Sequence, residues 1–225
     1  MAIELYWGSG SPFSWRVLLA LEYKRVTYES HELQFSKQEH KSPPMLRMNP
    51  RGRVPVLRDG EFVVYESLAC LLYLERRFPE HPLFGTSAEE SATIMRVLCE
   101  YQAYAEPHVT RIVSALFLET LDEEIEAVTR AIHLVSGEAR TIENRLSQCD
   151  WLVGERPSAA DLVVFPGIML LLRALEKREA GELRSRFVPI ETTYPAIARW
   201  IARVTQLPGY ERTYPPHWRE GPPRG

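Results

Sequence analysis

Every strand signal in this chain falls before residue 66, and everything after the segment around Pro82 and Gly85 reads as helix. That asymmetry constrains the fold more than any other feature. A sheet confined to one end of a 225-residue chain needs a core of its own, separate from that of the helices that follow. Residues 3–7 are a short apolar run ended by Gly8-Ser9-Gly10-Ser11-Pro12, a buried strand running into a loop. Residues 15–23 then carry Val17, Leu18 and Leu21 at helical spacing, and residues 26–33 read as a second strand. Strand, helix and strand within about 30 residues suit a right-handed βαβ unit. Residues 35–49 are polar, contain Pro43 and Pro44, and are expected to form an irregular or weakly helical connector.

Residues 54–57 and 62–65 flank Asp59-Gly60, a hairpin signal because both turn residues tolerate positive φ. Residues 66–78 are helical in composition and end before Pro79. The order is therefore β-α-β, connector, β-β-α, a parallel unit joined to an antiparallel hairpin on one small sheet. We expect a first domain over residues 1–80, a linker over 81–87 and an all-helical second domain over 88–225 that includes a proline-rich tail.

Within the second part, residues 88–118 are a long helical stretch that Pro107 should kink or break at the preceding residue. Residues 123–148 alternate apolar positions in steps of three and four, the pattern of an amphipathic helix. Ser158-Ala159-Ala160-Asp161 ahead of an apolar run is a variant capping box. Residues 194–206 read as a further helix, with Pro195 in its first turn. The tail from Pro208 holds Tyr210, Tyr214 and Trp218.

The formal charge of −3 comes from interspersed signs, so neither nucleic acid nor a membrane is expected as a partner. Cys70, Cys99 and Cys149 are far apart and form no CxxC pair or Cys/His cluster; free thiols and no metal site are expected. The N-terminus lacks a basic segment followed by a long apolar run. The longest apolar stretch, residues 162–172, is too short to span a bilayer, so the expected location is cytoplasmic.

Four local patterns resemble one family, the cytosolic glutathione transferases. Ser11-Pro12-Phe13-Ser14-Trp15-Arg16-Val17 resembles the serine motif of the tau class, and its Ser-Trp-Arg-Val end is similar to the zeta class. Asn49-Pro50-Arg51-Gly52-Arg53-Val54-Pro55-Val56-Leu57 is similar to the family's NPxGxVPVL. Tyr65-Glu66-Ser67 enters the third helix, and the box at residues 158–161 falls where the family carries one. Together they resemble a serine-type, tau/zeta-like member of bacterial style. The resemblance implies a thioredoxin-like first domain, a helical second domain, a homodimer, and glutathione as co-substrate without a metal.

A thiol with a pKa near ~8.5 is a poor nucleophile until it is deprotonated. A short hydroxyl and the positive end of a helix both stabilise the thiolate. Ser11, just before the first helix, is the candidate, with Ser14 as the rival hydroxyl. The resemblance implies that Phe13, Lys41, Arg53, Val54, Pro55, Glu66 and Ser67 bind glutathione. Val54-Pro55 would be a cis peptide offering the Val54 backbone to the cysteinyl unit. Glu66 and Ser67 would take the γ-glutamyl ammonium and carboxylate, and Lys41 and Arg53 the glycyl carboxylate. Tyr104, His108 and Arg111 are candidates for the second-substrate pocket. The implied activity is conjugation of the glutathione thiolate to small electrophilic, partly hydrophobic substrates, a detoxifying chemistry. The alternatives are a zeta-like, glutathione-dependent cis–trans isomerase of the maleylacetoacetate type and a non-catalytic protein-interaction module.

Overall fold

The computed structural model describes residues 3–219, apart from the side chains at 178 and 179. The chain forms two compact units, Met1–Leu83 together with Leu207–Gly225, and Phe84–Gln206.

The first unit is built on a four-stranded sheet in the order β2-β1-β3-β4. Its elements are β1 (Ile3–Trp7), α1 (Pro12–Tyr23), β2 (Tyr28–Glu32), α2 (Pro43–Met48), β3 (Val56–Asp59), β4 (Phe62–Tyr65) and α3 (Ser67–Arg77). Strand β1 runs parallel to β2, with Leu5 beside Ser30, and antiparallel to β3, with Leu5 beside Leu57. The expected mixed sheet is therefore present. Strand β2 is shorter than the 26–33 run because it is an edge strand, paired with β1 alone and largely exposed. The connector contains two 3₁₀ turns, Phe35–Lys37 and Glu39–Lys41, and the short α2, which opens on Pro43 and Pro44. Leu5, Val17, Leu21, Leu57, Leu71 and Leu74 are fully buried and form the core of this unit.

The tail from Leu207 clusters with this unit, whereas the sequence reading grouped it with the helical one. The physical reason is Trp15. It is buried in the first turns of α1, its Nε1 donates to Thr213 Oγ1 at 2.9 Å, and Tyr214 and Trp218 meet its ring edge-on at 5.8 and 5.4 Å.

The second unit is helical: α4 (Ala88–Glu100), α5 (Glu106–Phe117), α6 (Leu121–Leu146), α7 (Ala159–Ala174), α8 (Ile190–Thr193) and α9 (Pro195–Val204). A further short helix, α10 (Tyr210–Thr213), lies in the tail. The long stretch around Pro107 is interrupted one turn upstream of the proline, by a π-helical turn at Tyr101–Ala105, and resumes at Glu106. Proline has no N–H and crowds the preceding turn, so the ladder widens before it and Pro107 occupies the first turn of α5. Gly167 in α7 leaves room for Tyr101, since a Cβ there would meet the Tyr101 hydroxyl at 1.8 Å.

The capping box at the start of α7 is formed. Both the backbone N–H and the hydroxyl of Ser158 donate to Asp161, at 2.9 and 3.0 Å. Asp161 is fully buried and also accepts from Leu152 N–H at 2.9 Å and Trp200 Nε1 at 2.8 Å, which ties α7 to α9. Among the described residues, no helix is long and apolar enough to cross a membrane.

Candidate functional site

The loop after β1 delivers Ser11 as the N-cap of α1. Its backbone is extended, its N–H donates to Gly8 O at 3.1 Å, and its Oγ accepts from Ser14 N–H at 3.2 Å. A serine is suited to this position because its short side chain satisfies a helix-end donor. Ser11 is half-buried. Ser14 is fully buried, and its Oγ accepts from Gly8 N–H at 3.4 Å. Pro12 follows the cap, where a missing N–H costs nothing.

Phe13 is half-buried, and the Arg16 guanidinium lies 4.7 Å from its ring centroid. Arg16 is itself buried, and its Nη1 donates to Ser67 Oγ at 3.3 Å. The first turn of α1 is thus linked directly to the first residue of α3. Glu66, at the N-cap of α3, is exposed and has φ of +70°, a left-handed conformation unusual for a side-chain-bearing residue. Its carboxylate pairs with Arg51 at 3.6 Å.

Val54-Pro55 is a cis peptide, as the resemblance implied. It immediately precedes β3, and the β3–β4 register sets Val56 opposite Tyr65. The Val54 backbone therefore lies outside the ladder, at the end of the hairpin from which Glu66 and Ser67 continue. The approach to this peptide is held by Asn49, which is buried. Its Nδ2 donates to Arg53 O at 2.8 Å, and its Oδ1 accepts from Arg51 N–H at 3.1 Å.

Lys41 and Arg53 are both exposed. Lys41 passes close to Gly52, where a Cβ would meet its Cγ at 3.3 Å, so the two cations belong to neighbouring pieces of chain. The half-buried His40 packs edge-on against Phe35 at 5.1 Å, and its Nδ1 is buried with no hydrogen-bond partner among the described residues. A buried, unpaired ring nitrogen is costly unless something binds it.

In the helical unit, Tyr104 is exposed in the π-helical turn, and His108 is half-buried on α5. His108 and Arg111, three residues apart on α5, are neighbours on its surface, and Tyr104 lies in the π-helical turn before it. Arg111 is engaged by Glu124 at 2.9 Å. Sequence reasoning did not assign roles to Asn49, Arg51 or Arg16. For Asn49 a signal existed, since Asn ahead of Pro and Gly favours side-chain-to-backbone turns. Glu66, which pairs with Arg51, and Ser67, which accepts from Arg16, lie too far along the chain for any local pattern.

A small mixed α/β domain with a serine-capped first helix and a proline-led hairpin, continued by a helical domain, is the plan of a glutathione-dependent transferase. Residues 10–77 match the family model described as Glutathione S-transferase, N-terminal domain, and residues 106–208 match that described as Glutathione S-transferase, C-terminal domain. Glutathione S-transferase A of Pleuronectes platessa is 31% identical over 225 residues, covering 98% of this chain and 94% of that protein. A zeta class glutathione S-transferase of Euphorbia esula is 28% identical, covering 95% and 90%. The crystal structure of a glutathione S-transferase from the Antarctic clam Laternula elliptica has a TM-score of 0.79 at 30% identity, covering 98% and 95%. The chain belongs to the cytosolic glutathione S-transferase superfamily, a superfamily of enzymes.

Proposed function

We propose that this chain conjugates glutathione to small electrophilic, partly apolar substrates, with Ser11 stabilising the glutathione thiolate. The observation that carries the reading is the contrast between two hydroxyls. Each accepts one backbone N–H and keeps a proton to donate, but Ser14 is fully buried, whereas Ser11 is half-buried and can present its proton to a ligand. Accepting the Ser14 N–H polarises the Ser11 O–H and strengthens it as a donor. The N-terminus of α1 adds favourable potential for an anion. A two-unit fall in the thiol pKa corresponds to roughly 2.7 kcal/mol, within reach of one hydrogen bond and a helix end. The thiol proton leaves to solvent and the sulfur lone pair forms the new S–C bond; in a substitution the bond to the leaving group breaks and that group departs with its electron pair, and in an addition the C=C π bond breaks and the resulting carbanion takes a proton from solvent.

Glutathione binds in this reading along the first domain, residues 1–80. The Val54 backbone beside Pro55 pairs with the cysteinyl backbone as an added strand would. Ser67 donates to the γ-glutamyl carboxylate and Glu66 accepts from the ammonium. The positive φ of Glu66 supports this, since strained side-chain-bearing residues cluster where function holds them. Lys41 and Arg53 take the glycyl carboxylate, with the orphaned His40 Nδ1 beside Lys41, and Phe13 flanks the thiol. Tyr104, His108 and Arg111 contact the second substrate; the Arg111–Glu124 pair reduces its pull on anionic ones. Family membership also supports a cytoplasmic homodimer and a detoxifying role.

A second reading, isomerisation of a maleyl compound with glutathione as recycled nucleophile, is favoured by Ser14-Trp15-Arg16-Val17 and by the zeta class relative. The test is retention on immobilised glutathione together with conjugation of an activated aryl halide. Retention and turnover support conjugation. Turnover of a maleyl compound alone selects the isomerase, and failure of both selects a non-catalytic module.

A further inference from the structure

We propose that His217 is a positioning residue for the loop that presents Ser11, acting through Ser9; this rests on the reading that Ser11 holds the thiolate. Ser9 Oγ and His217 Nδ1 are 2.6 Å apart, a pairing between positions separated by 208 residues. The same imidazole lies over Gly10. A Cβ on Gly10 would meet His217 Cε1 at 2.9 Å and Nε2 at 3.2 Å, and Gly10 has φ of +80°. Glycine is therefore required there for both conformation and space.

The imidazole reaches the loop on an anchored arm. Arg212 pairs with the buried Glu22 near the end of α1. Thr213 is buried and accepts from Trp15 Nε1 at 2.9 Å. Trp218 is buried with its ring 5.4 Å from that of Trp15. His217 is held between Thr213 and Trp218 on a segment fixed along α1, in the 3₁₀ turn Pro216–Trp218.

Ser9 and Ser11 belong to one tight turn, closed by Ser11 N–H to Gly8 O. A small displacement at Ser9 and Gly10 redirects the Ser11 hydroxyl, and hydrogen bonds weaken steeply with angle and distance. His217 thereby acts on the thiolate without touching it.

The test measures thiolate absorbance of enzyme-bound glutathione against pH, with kcat and KM, for S11A, S9A, H217A, H217N and the double variant S9A/H217A. H217A and S9A are each expected to raise the bound thiol's pKa by about half to one unit and to lower kcat at pH 7 about three- to tenfold. KM for glutathione should stay within about twofold. The double variant should be no worse than either single one. H217N, whose side-chain amide can still bond Ser9, should recover part of the loss. Additive losses, or an unchanged thiol pKa in both H217A and S9A, overturn the inference. If S11A raises the thiol pKa and H217A does not, only this inference fails; if S11A leaves it unmoved, the Ser11 reading fails with it.

Discussion

The Ser11 hydroxyl accepts the backbone N–H of Ser14 at 3.2 Å, so one oxygen caps α1 while its own proton remains to be donated. The two roles separate by substitution. Loss of an N-cap side chain to alanine costs about 1 kcal/mol, but to glycine only a few tenths. Ser11→Ala should therefore lower both stability and conjugation, whereas Ser11→Gly should hold its melting temperature and lose activity to the same degree. The expected loss in kcat is about 100-fold, equivalent to two units of thiol pKa, with glutathione affinity changed only a few-fold. Ser14→Ala, which strips the Gly8 N–H of its acceptor, should cost about 1 kcal/mol of stability and far less activity. Steady-state kinetics beside thermal melts check all three; the reverse ranking would exchange the two serines.

Glu66 predicts a trade between stability and binding. Its φ of +70° is unfavourable for any residue with a Cβ and free for glycine. Glu66→Gly should match or exceed the wild type in stability, by up to about 1 kcal/mol. It should also weaken glutathione binding about tenfold or more, the value of a charge-assisted hydrogen bond. Ser67→Ala should weaken binding as well, since its hydroxyl is aimed by Arg16. Calorimetric titration with glutathione decides; unchanged affinity in both variants removes these residues from the site.

These residues show how far local sequence reaches. Strand β1, the Asp59-Gly60 hairpin and the box at Ser158 could be read because each rests on a short-range rule: an apolar run, a turn dipeptide, a four-residue reciprocal cap. Ser11, Glu66 and Ser67 are candidates because each stands in a motif with its neighbours in sequence. What stayed hidden depends on residues far apart. No pattern near Trp15 says that Thr213, Tyr214 and Trp218 return to cover it. No local rule joins Arg51 to Glu66 or leaves His40 Nδ1 without a partner. Pro107 announced a break, but its form, a π-helical turn upstream, is set by how the ladder relaxes around a missing N–H.

Asp161 should be the most costly polar residue to remove from the helical unit. Burial pushes its pKa up, while the donors from Leu152, Trp200 and Ser158 oppose that shift. Asp161→Ala leaves these donors buried and unpaired, at about 1 to 3 kcal/mol for each. A loss on the order of 4 kcal/mol, measured by urea denaturation, is expected. Asp161→Asn keeps one carbonyl acceptor and should cost less. Near-equal stability of the alanine variant and the wild type would show that α7 and α9 do not depend on this carboxylate.

The three cysteines should divide sharply in reactivity. Cys99 and Cys149 are exposed, whereas Cys70 is fully buried in α3. Burial first, and then the negative charge of Glu66, push the Cys70 thiol up to about 12 from 9.0. At pH 8 only about one Cys70 in ten thousand is then a thiolate. A disulfide reagent should titrate two thiols quickly in the native protein and the third only on unfolding. The same shift carries a pH signature. Below pH 9 the thiol is protonated in both the folded and unfolded states. Between pH 9 and about 12 the unfolded chain releases the proton and the folded one keeps it, so stability falls as pH rises, by about 1.4 kcal/mol per unit from this group. Cys70→Ala should flatten the alkaline decline by that slope, although the cavity lowers stability at every pH. A slope unchanged by the substitution, or rapid labelling of three thiols in the native protein, would show that Cys70 is not held in a closed core.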